Sequence, residues 1–487
     1  MISVLDTKGE EMKHYDVAII GAGSAGLAAR REVAKKTDNY VVIDGGKLGT
    51  TCARVGCMPS KVLIEVANTF YKRHSFDKMG IKKSDSLTID QKEVMKHVRS
   101  LRDRFVRSVI GGLEEWKSDK LIQKYARFID ENTLSLGDEI IKADNIIIAA
   151  GSSPIIPKAW EEYQDYFIST DDFFEMEEVP KKIAVIGLGV IGIELGQALS
   201  RLGVEIVGAT IGKSIGGTTD PKIQEAITKQ MQKEFPISFD GADIIGVENG
   251  LLKIKTGDDI HLVEKAFLTM GRKPNIDKLG LENLNIEKDE KGFPLIHFGT
   301  YQLLGKDIYL VGDINAQRPL LHEASDEGRI AGYNSVRKNK QCFKRREFMA
   351  ITFSDPNIAV IGQSFKELTD KKVDFITGKI SYEGFGRAII KLQEVGLLHL
   401  YADRINGKIL GAEMFAPAGE HLANSLVWLI SLGLTVNQAL TLPFYHPVLE
   451  ESLRAALRDA AGKTENGPGE LEVLRCQEPT VGGKIYP

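Results

Sequence analysis

Cys52 and Cys57 stand five positions apart in "TTCARVGCMPSK" (residues 50–61), in a chain of 487 residues whose only other cysteines are Cys342 and Cys476. Two nearby thiols suit three chemistries: a metal clip, a structural staple, or a bond that is made and broken. Zinc needs about four ligands in a tetrahedron, and no CxxC or HxxxH lies near the pair. A staple across so short a loop removes little entropy from the unfolded chain. Residues five apart in a regular α-helix have Cα atoms roughly 8–9 Å apart, beyond the ~4.4–6.8 Å that a disulfide spans. A bond between these two therefore needs a distorted helix start, for which Gly56 supplies the permissive backbone. A constrained disulfide near a helix N-terminus is easily reduced, and the released thiolate gains from the helix dipole and from a cation such as Lys61. The spacing favours redox chemistry.

A second group lies in "YHPVLEES" (445–452), where His446 offers a base and Glu451 a carboxylate able to orient it. The same residues have a purely structural reading, in which Pro447 takes the first position of a helix and Glu451 sits in its opening turns.

Thiols that cycle need an electron partner, and two segments could hold one. Residues 15–44, "YDVAIIGAGSAGLAARREVAKKTDNYVVID", read as a buried strand, a glycine turn, a helix from about Ser24, and a second strand ending in Asp44. In such a βαβ unit Gly21 makes the tight turn, Gly23 lets the backbone approach a pyrophosphate, and Gly26 permits close helix-to-strand packing. The helix N-terminus attracts the anion, and Asp44, 18 residues after Gly26, can accept from ribose hydroxyls. "KIAVIGLGVIGIELG" (182–196) repeats the pattern with Gly187, Gly189 and Gly192. The repeat extends to "ADNIIIAAGSSP" (143–154) and "VEKAFLTMGRKPN" (263–275), each a short strand before a glycine, Gly151 and Gly271. Two dinucleotides are implied. Further on, "KDIYLVGDINAQRPLLHEASDEGRIAGYNS" shows a strand, a turn at Gly312–Asp313 and a helix from about Leu320 to Asn334, with a carboxylate placed to bind a polyol hydroxyl.

Length and composition set the frame. A chain this long divides into about three or four domains. Apolar residues at 43% and charged ones at 27% match an ordinary globular protein. With 63 Lys and Arg against 67 Asp and Glu, no bulk positive field exists to hold nucleic acid or an anionic membrane. The N-terminus is polar and acidic, and no run approaches the ~20 apolar residues that span a bilayer, so a cytoplasmic protein is expected. After Arg345 the pattern changes to strands with turns and then the apolar helix "HLANSLVWLISLGL" (421–434), in which Trp428, Leu429 and Leu432 suit a domain core or a dimer seam. The glycine- and proline-rich segment from 462 reads as an extended appendage.

The series "IIGAGSAG", "CARVGCMPSK", "GLGVIGIE", "TMGRKPN", "YLVGD", "LLHEASDEG", "FSDPNIAVIG" and "HPVLEE", in this order, resembles the FAD-dependent pyridine-nucleotide disulfide oxidoreductases over about residues 15–460, most closely their dihydrolipoamide dehydrogenase branch. The resemblance implies an α/β fold of two Rossmann-like dinucleotide-binding domains, as in glutathione reductase, with a C-terminal α+β dimerisation domain. The expected limits are an FAD domain at 1–155 and 276–345, an NAD(P) domain at 156–275, a dimerisation domain at 346–462 and a tail at 463–487. FAD falls to Gly21, Gly23, Ser24, Gly26, Asp44, Gly151, Gly312 and Asp313, and NAD or NADP to Gly187, Gly189, Gly192, Gly271 and Arg272. Cys57 is similar to the thiol facing the flavin and Cys52 to the interchange thiol. Lys61 and Glu194 correspond to a pair beside the flavin, and His446 with Glu451 to the base and its orienting carboxylate, serving Cys52 of the other chain of a C2 homodimer. The implied substrate is a small or lipoyl-bearing dithiol or disulfide.

Several positions depart from that pattern. In NAD-using relatives an acid ends the second strand of the second unit; here "VEIVGATIGKS" puts that position near Thr210, with Lys213 close by, so the residues leave NADP open and the resemblance alone implies NAD. Ala53-Arg54 replaces the usual Leu-Asn, and Arg54 adds a cation beside the thiols. Two alternatives stand beside dihydrolipoamide oxidation: NADPH-driven reduction of another small disulfide, and a non-catalytic FAD-binding subunit.

Overall fold

The computed structural model describes residues 12–212 and 214–475. Its N-terminal sheet is built on β1 (Lys13–Ile20) and β2 (Tyr40–Ile43), joined by helix α1 (Ser24–Val33). The last four residues of β1 and all of β2 are buried, which continuous apolar runs in a parallel sheet require. The strand Ile140–Ile148 lies parallel on the other side of β1, and Ile308–Leu310 lies parallel beyond it. Residues on both sides of the 167–268 stretch thus complete one sheet.

The second sheet repeats this plan with Lys182–Ile186 at its centre, between Glu205–Ala209 and Lys265–Leu268, all parallel. The correspondence reaches single bonds. Gly21 N–H donates to Ile43 O at 2.7 Å, and Gly187 N–H to Ala209 O at 2.8 Å. Ala149 N–H donates to Ile20 O at 2.8 Å, and Thr269 N–H to Ile186 O at 2.9 Å. A short antiparallel pair, Ser152–Pro154 with Arg272–Pro274, ties the two units where the chain leaves each.

Residues 349–416 form a five-stranded antiparallel sheet covered by helices Gly419–Ser431 and Glu451–Ala461. The apolar helix divides its faces: Leu422, Leu426, Leu429 and Ile430 enter the core, whereas Trp428 is 62% exposed, as is Leu432 just beyond the helix at 73%. Residues 466–475 take no regular structure, but Glu472 is held by Arg454 at 2.7 Å and Arg458 at 2.6 Å. Those guanidinium groups hold its carboxyl down at about 2. Cys476, Lys213 and the first eleven residues lie outside the described residues.

Candidate active site

The stretch carrying the cysteines forms two helices rather than one. Thr50 caps the first, α2 (Thr51–Val55), by accepting from Ala53 N–H at 3.2 Å. The second, α3 (Cys57–Tyr71), starts afresh after Gly56. At that break a Cβ on residue 56 would stand 3.0 Å from Thr51 O and 3.3 Å from Cys52 Cα, so the backbones meet where glycine leaves room. The interrupted helix brings the two sulfurs within hydrogen-bond reach, with no disulfide joining them.

Their sharing of one proton is unequal. Hydrogen bonding to Cys57, then burial, pushes the Cys52 thiol up. Cys57 is drawn down from 9.0 to about 7, first by the hydrogen bond from Cys52 and then by Lys61, against the opposing effect of burial. Its place at the first residue of a 15-residue helix acts in the same sense. In the reduced pair these effects bias the negative charge toward Cys57 and the proton toward Cys52.

Helix α3 buries Leu63, Ile64 and Ala67 in the same core as Ile193, Leu195 and Leu199 of the helix Val190–Arg201, and that packing brings Lys61 to Glu194. The ammonium lies 2.7 Å from Glu194 Oε2 and 4.6 Å from the centre of the Phe353 ring. Glu194 is 4% exposed, and its other oxygen accepts from Phe353 N–H at 2.8 Å. Held through both oxygens, the Glu194 carboxylate fixes the ammonium beside the thiols.

His446 Nδ1 lies 2.9 Å and 3.1 Å from the two Glu451 oxygens, and His446 pulls the Glu451 carboxyl down. A carboxylate at Nδ1 orients the ring and turns Nε2 outward. The His446 side chain is 80% exposed on the single chain, directed away from its own core. Pro447 does not open a helix, as its sequence context suggests. The helix begins at Glu451, because Glu451 reaches back to accept from Val448 N–H at 3.1 Å and holds residues 446–450 in a turn.

The two glycine turns make anion cradles. Gly21 and Gly187 have φ of +108° and +97°, and a Cβ on either would collide with a carbonyl of the neighbouring strand end. Around Gly23 and Gly189, in contrast, no atom lies within 4 Å of where a Cβ would be, and neither following helix has a side-chain cap. The free N–H groups of each helix thus face open space that suits a pyrophosphate. Asp44 spans the first turn, accepting from Ala22 N–H at 2.6 Å and Gly46 N–H at 2.8 Å. The space before the second turn is a cavity of about 980 Å³ running from Gly187 and Gly189 to Gly271, Arg272 and Asp313. These residues fit FAD at the first cradle and a nicotinamide dinucleotide at the second. Among the described residues no three His, Cys, Asp or Glu side chains group as metal ligands.

Residues 15–328 match the family described as pyridine nucleotide-disulphide oxidoreductase, and residues 348–457 match the dimerisation domain of that family. The chain belongs to the pyridine nucleotide-disulphide oxidoreductases. It is an FAD-dependent flavoprotein disulfide oxidoreductase with NAD(P) as the other redox partner. Dihydrolipoyl dehydrogenase of Bacillus subtilis (strain 168) is 28% identical over 459 residues, covering 92% of this chain and 96% of that protein. Mercuric reductase of Staphylococcus aureus is 26% identical over 434 residues, covering 87% and 78%. The solved HOCl-induced flavoprotein disulfide reductase RclA from Escherichia coli superimposes with a TM-score of 0.79 at 19% identity, covering 92% of this chain and 99% of that one, a likeness of fold.

Three residues of this oxidoreductase carry positioning contacts that sequence reasoning missed. Ser152 donates to Asp313 at 2.8 Å while accepting from Arg272 Nε at 2.9 Å, linking the two cradles. Glu327, 1% exposed, accepts from Gly312 N–H at 2.7 Å and Asn315 Nδ2 at 2.6 Å and pairs with Arg345, so it holds the turn that presents Asp313. Burial pushes the Glu327 carboxyl up to about 7. Phe353 supports Glu194 from 159 residues away. None of the three left a local signal, since Glu327 shares its helix with Glu323 and Asp326.

Proposed function

We propose that this oxidoreductase oxidises a dithiol, dihydrolipoamide in the first instance, and delivers the two electrons through Cys52 and Cys57 to FAD and then to a nicotinamide dinucleotide. The observation carrying this reading is the placement of the cysteine pair: two unbridged thiols brought together at a helix break, with the Lys61–Glu194 ion pair beside them. His446 Nε2 of the opposite subunit takes a proton from one substrate thiol, with Glu451 stabilising the cation formed. The thiolate attacks Cys52 Sγ, the Cys52–Cys57 bond breaks, and Cys57 leaves as thiolate. The second substrate sulfur then displaces Cys52, which leaves carrying that thiol's proton, the substrate departs as a disulfide, and the proton held by His446 passes to solvent. The substrate has lost two electrons and the cysteine pair has gained them. FAD, when bound, accepts these electrons and returns them as a hydride to the nicotinamide. Lys61, anchored by Glu194, stabilises the Cys57 thiolate. The exposure of His446 on the single chain supports its service across a homodimer, as does the match of residues 348–457 to a dimerisation domain.

Steady-state rates on purified FAD-loaded protein test the reading. Oxidation of dihydrolipoamide should exceed the NADH- or NADPH-driven reduction of glutathione disulfide and coenzyme A disulfide by at least about tenfold in kcat/KM. A faster rate with either disulfide would transfer the same chemistry to that substrate. No turnover with any of them would leave a flavin-binding subunit instead.

A further inference from the structure

The cavity before the second glycine turn has two unlike ends. Asp313, Arg272 and Gly271 line the end toward the first domain, and Thr210, Ile211, Gly241, Ala242 and Asp243 line the other. At that far end the strand Glu205–Ala209 finishes without an acid. The loop that follows Ser238 is fastened beside the strand end. Thr210 N–H donates to Ser238 O at 2.9 Å, Gly241 N–H donates to Thr210 O at 2.9 Å, and Ile211 bridges Asp240. Gly241, at φ +80°, brings the loop so near that a Cβ there would stand 3.0 Å from Ile211 Cγ1. Two residues later Asp243 begins the strand Asp243–Glu248 on the cavity wall, with its carboxylate free of any hydrogen bond or ion pair among the described residues. Of the described residues lining the cavity, Arg272 alone is basic, and it lies at the opposite end with Nε and Nη2 given to Ser152.

We propose that Asp243 is the residue that selects NAD over NADP. Its carboxylate accepts from the hydroxyls of the adenosine ribose and repels a 2′-phosphate, supplying from a neighbouring loop the acid that the strand end lacks. The proposal rests on the reading of this cavity as the nicotinamide coenzyme site. A like-charged pair about 5 Å apart at an effective dielectric constant near 20 gives discrimination on the order of 100-fold.

Binding of ADP-ribose and of 2′-phospho-ADP-ribose to the FAD-loaded protein, followed by calorimetry, tests this without turnover. Wild type should bind ADP-ribose on the order of 100-fold more tightly than the phosphorylated fragment. Asp243→Asn should cut that ratio at least about tenfold, chiefly by tightening the phosphorylated fragment, and Asp243→Glu should keep most of it. An unchanged flavin spectrum and melting temperature confirm that the variants fold. Equal or tighter binding of the phosphorylated fragment by wild type, or an unaltered ratio in Asp243→Asn, overturns the role of Asp243 alone. If neither fragment binds, the assignment of the cavity fails along with it.

Discussion

Replacing Lys61 and Glu194 in turn should move the Cys57 titration in opposite directions. Lys61 follows Cys57 by four residues on α3, a spacing that sets the side chains about 5–6 Å apart. At an effective dielectric constant near 20 an ammonium at that distance favours the thiolate by about 3 kcal/mol, or about two pK units, and by about half that if water reaches the pair. Glu194, 2.7 Å from the ammonium, cancels part of the benefit. The net pull of Lys61 is then about one unit. With the Cys57 midpoint at about 7 instead of 9.0, roughly half of it is thiolate at pH 7, where an ordinary thiol would be roughly 1% ionised. Removing Lys61 should bring that fraction down to about a tenth. The assay is the pH dependence of the long-wavelength absorption that a thiolate gives against bound flavin, recorded anaerobically after two-electron reduction. Lys61→Met should raise the midpoint by about one unit, and Glu194→Gln should lower it by somewhat less. Shifts of the same sign in both variants, or none beyond about 0.3 unit, would refute the electrostatic account of the pair.

Three further outcomes follow from the geometry. His446→Ala should cut dithiol oxidation by about 10²–10⁴-fold with the flavin spectrum unchanged, and Glu451→Gln should cut it less, because the imidazole remains while its orientation weakens; stopped-flow reduction of the flavin by dihydrolipoamide reads both. Glu327→Ala strands Gly312 N–H, Asn315 and Arg345 below the Asp313 turn, so it should lower stability by about 3–5 kcal/mol and loosen FAD, as measured by urea unfolding and by flavin lost on gel filtration. Arg201, buried against Glu234 and Asp355 at 2.8 Å each, should cost about 3–5 kcal/mol when changed to Ala, seen as a lower denaturation midpoint; no change would mean that the pair stands in water.

How much of this was readable from the chain depended on how local each cause is. Parallel strands buried on both faces leave continuous apolar runs, and tight turns leave glycines, so β1, α1 and their repeat at 182–196 could be placed from residue order. The helix break at Gly56 was legible because a disulfide and a regular helix cannot share that spacing. The Lys61–Glu194 pair spans 133 residues and was supplied by family resemblance, not by any local pattern. Ser152, Glu327 and Phe353 act through contacts made only when distant segments meet. Pro447 misled for the converse reason: its preference for a helix start is local, and the Glu451 carboxylate bonding back to Val448 outweighs it. The placing of the 240–243 loop beside the strand end at Thr210 likewise leaves no trace in the order of residues, because it depends on bonds between Thr210, Ser238 and Gly241.

The central claim is that Cys57, not Cys52, is the thiolate next to the flavin, and anaerobic absorption spectra of the two single serine variants test it most directly. Cys52→Ser should show the long-wavelength thiolate band before any reductant is added, since Cys57 is then free and ionised near neutral pH. Cys57→Ser should show no such band, oxidised or reduced. The band persisting in Cys57→Ser and vanishing in Cys52→Ser would reverse the roles of the two sulfurs and contradict the mechanism built on them.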